Sequence, residues 1–169
     1  MWNNEILINT ARFLVLILIQ VVLLDHINFL GYVNPYLYIF FILMYPLTGN
    51  KSLLILLSFL LGLSIDMFSN SGGIHAGASV FIAWIRPLVL KYSFGVSYEY
   101  NTVKINTASF SQQLVFIVSM VFIHHLVLFT LEIFNTSQIL FILKSTLFSG
   151  IFTTIIIFCT LYLFGKKSS

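Results

Sequence analysis

A chain of 169 residues that is 59% hydrophobic and only 8% charged falls far below the roughly 25% charged residues of a soluble domain, which excludes an ordinary water-soluble globule. The net charge of +3 sits in short loops and termini with no basic run, so no surface follows a phosphate backbone and nucleic acid is excluded as a partner. The single cysteine, Cys159, rules out an intramolecular disulfide and every paired-cysteine metal spacing.

A spanning helix needs about 20 mainly apolar residues to cross roughly 30 Å of hydrocarbon, and such stretches fill nearly the whole sequence. The pattern predicts an all-α integral membrane protein, a six-transmembrane-helix bundle forming one membrane domain over residues 1–169. Met1 to Ile8 carry Glu5 and no basic cluster, and no small-residue cleavage pattern follows. A removed signal peptide is therefore not expected, and helix 1 is placed over 7–24. Asn34 as cap and Pro35 at the first position open a short helix 2 over 35–48. Helices 3 and 4, over 52–68 and 75–91, form a tight hairpin across the turn residues Ser69 to Gly73. Between Tyr92 and Ser109 lies the longest polar stretch, too short for a domain. Helix 5 is placed over 110–131, and Glu132 to Ser137 begin the link to helix 6, over 144–164.

Cytoplasmic loops retain positive charge, and an even number of helices with both termini inside places Arg12, Lys51, Arg86, Lys91, Lys104, Lys166 and Lys167 at or near the cytoplasmic side. Only Lys144 dissents. Tyrosines favour the membrane interface, and all eight fit this arrangement: Tyr32, Tyr36 and Tyr38 at the outer start of helix 2, and Tyr45, Tyr92, Tyr98, Tyr100 and Tyr162 toward inner ends. Trp84 is the exception among the aromatics. No internal repeat supports the inverted duplication of secondary transporters.

Ser58, Gly62, Asp66 and Asn70 recur every four residues, a small and polar stripe on a Leu-rich helix. Helix 4 answers with Ala76, Ser79, Ala83 and Arg86 on one face. Small residues let helix backbones approach closely in lipid, so helices 3 and 4 are expected to pack together. Ionisable residues inside a membrane suggest function, yet a hairpin turning at Gly72 and Gly73 offsets Asp66 and Arg86 by about 10 Å along the axis. Pairing then requires residues 69–77 to dip inward as a re-entrant loop. The favoured alternative sends Asp66 to the outer interface and lets Arg86 snorkel inward beside a break at Pro87.

His124 and His125 point about 100° apart on a helix, so one is expected to face the bundle. With His26 and His75, a metal or proton-relay site is conceivable, weighed against interfacial histidines with hydrogen-bonded partners. No nucleophile elbow, HExxH or phosphate-cradling glycine loop occurs. Neither an enzyme nor a cofactor is expected.

The run Phe59-Leu60-Leu61-Gly62-Leu63-Ser64-Ile65-Asp66-Met67-Phe68, followed by Gly72-Gly73-Ile74-His75-Ala76 and then Ile85-Arg86-Pro87, resembles the rod shape-determining protein MreD family. That family similarly ends one helix on Gly-Leu-x-x-Asp, turns on glycine, starts the next helix with small residues and carries a basic residue near its inner end. The specific likeness covers about 30 residues, with size, helix number and hydropathy agreeing elsewhere. The resemblance implies a non-enzymatic scaffold of the bacterial elongation machinery for lateral peptidoglycan synthesis, in the inner membrane. Its implied partners are the bitopic protein MreC and, indirectly, MreB, RodA and its penicillin-binding partner. The structural or partner-binding candidates are then Ser58, Gly62, Asp66, Gly72, Gly73, His75, Ala76, Ser79, Ala83 and Arg86. MreD-like proteins are also similar in fold to the substrate-binding subunits of energy-coupling-factor vitamin transporters. That second implication requires an outer pocket, for which Asn28, Asn34, Asp66, His75 and Asn135 are the candidates.

Overall fold

The structure, a computed structural model, describes residues 2–47, 49–95, 105 and 108–164. Helix α1 (Trp2–Ile19) runs directly into a π-helical turn, Gln20–Leu24. A short α2 (Ile39–Met44) is followed by α3 (Lys51–Ser69), α4 (Ile74–Phe94) and α5 (Phe110–Ile133). A 3-10 turn, Thr136–Gln138, then leads into α6 (Ile139–Phe164). Five helices, all but α2, are long and apolar enough to cross a membrane by length and composition. Among the described residues the fold is all-helical, and it is compatible with a multi-pass membrane protein.

Local chemistry sets the helix ends. Asn50 accepts from the amides of Ser52 and Leu53, 2.9 and 3.3 Å away, and starts α3. The Ser109 hydroxyl accepts from the Gln112 amide at the start of α5. These are side-chain caps for otherwise orphaned first-turn donors. Asn70, in the left-handed region at φ 52°, ends α3. Helix α4 runs through Pro87 to Phe94, so the expected break at Pro87 does not occur. Packed neighbours keep such a proline helical inside a bundle.

α3 packs most extensively on α4, α4 on α5 and α5 on α6, while α1 rests on α2 and α3. α1 and α3 run parallel. The Ser69 hydroxyl donates to Asp25 where both end, and Asn9, Thr10, Leu53 and Leu57 share a cleft where both begin. The chain between them must therefore return through the bundle.

The sequence pattern placed a helix over 35–48, but only Ile39–Met44 is helical. The stretch before it is extended or turned, and Tyr38, Ile39, Ile42 and Leu43 have no exposed surface. Non-helical backbone is tolerated at membrane depth only where protein surrounds it and satisfies its polar groups, and side chains from α1, the π-helical turn, α4 and α6 do so here. Thr153 Oγ1 accepts from the Tyr36 amide at 3.0 Å, and Ser149 Oγ from the Asn34 amide at 3.1 Å. Gln20 Nε2 donates to the Pro35 carbonyl at 3.1 Å. At the other end, Arg12 donates to the Met44 carbonyl at 3.1 Å, and Arg86 to the carbonyls of Leu43 and Tyr45.

This burial corrects the interfacial reading of three tyrosines, because Tyr36, Tyr38 and Tyr45 lie inside the protein. Tyr92 and Tyr162 are exposed, and Tyr98 and Tyr100 lie outside the described residues. Below, "hairpin end" denotes the end of the bundle carrying the α3–α4 turn, and "far end" its opposite.

Candidate functional site

The α3–α4 joint is built from small residues and one carboxylate. A Cβ placed on Gly62 would overlap the carbonyl oxygen of His75 and the backbone of Ala76, so these two backbones touch. Gly73 occupies the N-cap position of α4 with φ 96° and offers no side chain. Asp66 reaches across from α3 and takes over that role. Its Oδ1 accepts from the His75 amide at 3.0 Å and its Oδ2 from the Ala76 amide at 2.8 Å, while the Ser71 hydroxyl donates to Oδ1. A carboxylate on the first-turn donors also opposes the positive helix end, and such a cap contributes about 1 kcal/mol or more.

Ser58, Gly62, Asp66, His75, Ala76, Ser79, Ala83 and Arg86 are all buried, whereas Gly72 and Gly73 form the exposed turn. Asp66 and Arg86 are not brought together. Asp66 caps α4 at the hairpin end, and Arg86 anchors the carbonyls that close α2 farther down. Both expected alternatives are corrected, since Asp66 is 5% exposed and Arg86 4%. Two backbone amides and the Ser71 hydroxyl hold Asp66 inside the bundle, and Arg86 donates to the carbonyls of Leu43 and Tyr45.

Beneath the joint lies a cluster that sequence reading did not assemble. The Tyr38 hydroxyl sits 2.9 Å from His75 Nδ1 and 2.8 Å from His124 Nε2. A phenol carries one proton, so it donates to one ring and accepts from the other. The two histidines must therefore present opposite faces of the imidazole, one a lone pair and one an N–H. His125 Nδ1 lies 2.8 Å from the Val121 carbonyl, which only accepts, and this places the proton on Nδ1. His125 Nε2 then accepts from the Thr153 hydroxyl at 3.1 Å, leaving the Thr153 oxygen for the Tyr36 amide.

Both His124 and His125 are fully buried, contrary to the expectation that one faces the bundle and that the histidines lie at an interface. α5 lies between α4 and α6, so His124 turns to the return segment and His125 to α6. The His75–Tyr38–His124 chain fastens the return segment to α4 and α5, and it ends at His124 Nδ1, which is buried without a hydrogen-bond partner among the described residues. Among the described residues, no three His, Cys, Asp or Glu side chains gather to hold a metal ion.

Over this cluster, at the hairpin end, opens a cleft of about 370 Å³ walled by Asp25, His26, Asn34, Tyr36, His75 and Glu132. A second lobe of about 280 Å³ shares Asp25, Asn34 and Glu132 and adds Asn28, Tyr32 and Ser145. Of the outer-pocket candidates, Asn28, Asn34 and His75 line these lobes. Asp66 is committed to its cap, and Asn135 accepts from the Ser137 amide in the α5–α6 turn. Sequence reading missed Tyr38, Gln20, Ser149 and Thr153. A signal was present in Ser145, Ser149 and Thr153, spaced by four on α6 and fully buried.

No family model, no curated protein and no solved structure matches the chain.

Proposed function

We propose that the protein is a non-enzymatic membrane scaffold of the MreD type. It works in the bacterial cell-elongation machinery, binds MreC and through it reaches MreB, RodA and its penicillin-binding partner. In this reading it lies in the inner membrane with both termini cytoplasmic. The far end, where Arg12 and Arg86 sit among the α2 carbonyls, then faces inward. Lys144, the one dissenting cation, rests its ammonium 4.3 Å from the Tyr32 ring centroid.

The observation that carries this reading is the α3–α4 joint. Gly62, Asp66 and Ala76, residues on which the resemblance rests, meet in one packed contact beside the exposed Gly72-Gly73 turn, and its polar groups hold the two helices together. A signature of that kind suits a rigid partner platform. A catalytic signature would instead aim a reactive group into a cavity.

Affinity purification of the tagged full chain from its native membrane tests the proposal. Recovery of a bitopic membrane protein with an extracytoplasmic coiled coil is expected, together with loss of rod shape on depletion. Depleted cells that stay rod-shaped and yield no such partner would overturn it. A substrate-binding subunit of a vitamin-type transporter is the second reading, favoured by the polar cleft at the hairpin end. Co-recovery of an ATPase and a coupling subunit would mark it.

A further inference from the structure

The cleft at the hairpin end has a chemistry of its own. Its two lobes meet at Asp25, Asn34 and Glu132, and the groups around that junction are mostly acceptors. Both Asp25 oxygens are engaged, one by Gln20 Nε2 at 2.8 Å and the other by the Ser69 hydroxyl. Glu132 lines both lobes from the end of α5. Two further polar atoms there are withdrawn from solvent without a hydrogen-bond partner among the described residues: Asn34 Oδ1 and the Ser145 hydroxyl. Ser145 is the more telling of the two. It has no exposed surface, it lines the smaller lobe, and it leaves its hydrogen-bonding capacity unused. A buried unpaired polar group destabilises a fold, and a ligand in the lobe would complete it.

The walls supply aromatic side chains from Tyr36 and Phe129, while the Tyr32 ring is already taken by the Lys144 ammonium. Carboxylates and unpaired acceptors beside aromatic rings select a positively charged organic group over a neutral or anionic one. No three metal-ligating side chains converge among the described residues, so the donor set suits an ammonium better than a metal ion.

We propose that this cleft binds a small organic cation, a protonated aliphatic amine, with Glu132 as the charge partner and Ser145 and Asn34 as hydrogen-bonding groups. The proposal deepens the second reading by fixing the charge of its ligand, and it is compatible with a scaffold that senses such an amine. An amine bound by a chain that recovers no transporter subunits would sink that second reading and leave this inference standing.

Thermal unfolding of the full chain in nanodiscs at fixed ionic strength, titrated with putrescine or with uncharged 1,4-butanediol, tests the inference. Putrescine should raise the midpoint saturably and butanediol should not. Glu132→Gln should weaken the putrescine effect about tenfold, and Ser145→Ala should weaken it less. Equal responses to the two probes would overturn the assignment. So would no response to millimolar putrescine, or an undiminished response in Glu132→Gln.

Discussion

The α3–α4 joint and the return segment 33–47 lie side by side in one apolar bundle and are ordered by opposite means. In the joint, two regular helices satisfy their own backbones, so small residues suffice to bring them together and one carboxylate closes the exposed helix start. The return segment has little backbone regularity of its own. It depends on Gln20, Ser149, Thr153, Arg12 and Arg86 for the bonds that a helix would make internally. Inside hydrocarbon every backbone group needs a partner, and the difference teaches that the partner need not be near in sequence. Ser149 and Thr153 stand 115 and 117 positions from the amides they accept.

Substitutions in the two regions sharpen this contrast. Gly62→Leu should have the largest effect, because the new side chain meets backbone and forces the helices apart. A destabilisation above about 3 kcal/mol is expected from overpacking a rigid contact, read as loss of folded protein in detergent. A variant with an unchanged unfolding midpoint would break the account of the joint. Thr153→Val keeps the shape and removes the hydroxyl shared by the Tyr36 amide and His125, and should cost about 2 kcal/mol for the groups left unpaired. Hydrogen exchange should show the Tyr36 amide losing protection while the His75 and Ala76 amides keep theirs. Joint loss at all three would mean that the two regions are one cooperative unit. Ser64→Ala is the smallest change. Ser64 bonds only the Leu60 carbonyl of its own helix, so the midpoint should move by less than about 0.5 kcal/mol.

The joint was legible in the sequence for the reason that makes it stable. Its signals are local: the fourfold recurrence of Ser58, Gly62 and Asp66 on α3, the glycines of the turn, and the answering small face of α4. The long helices were legible too, with α3 and α4 found over 51–69 and 74–94 against expectations of 52–68 and 75–91. The return segment was misread because Asn34-Pro35 followed by an apolar run is a sound helix-start signal. What overrides it lies on α1, α4 and α6, and no window along the chain contains both sides of those bonds. The same holds for the histidine cluster. The adjacency of His124 and His125 was informative about angle but silent on Tyr38, which joins one of them to His75. In the cleft, Asn34 and His75 were visible as polar residues near one end. Asp25, Glu132 and Ser145 come from three separate stretches of the chain and meet only around the folded cleft.

The dependence of Tyr36 on Thr153 also sets a schedule for biosynthesis. A nascent chain emerges from its N-terminus at about 5–20 residues per second, so residues 33–38 are made well before α6 exists to receive their amides. With six helical residues in α2, far short of the roughly 20 needed to cross alone, the segment has no stable resting place until its acceptors arrive. Release of α6 is therefore the step that seals the core. A nascent chain halted before Ile139 should remain open to membrane quality-control proteases even with α1, α3, α4 and α5 complete.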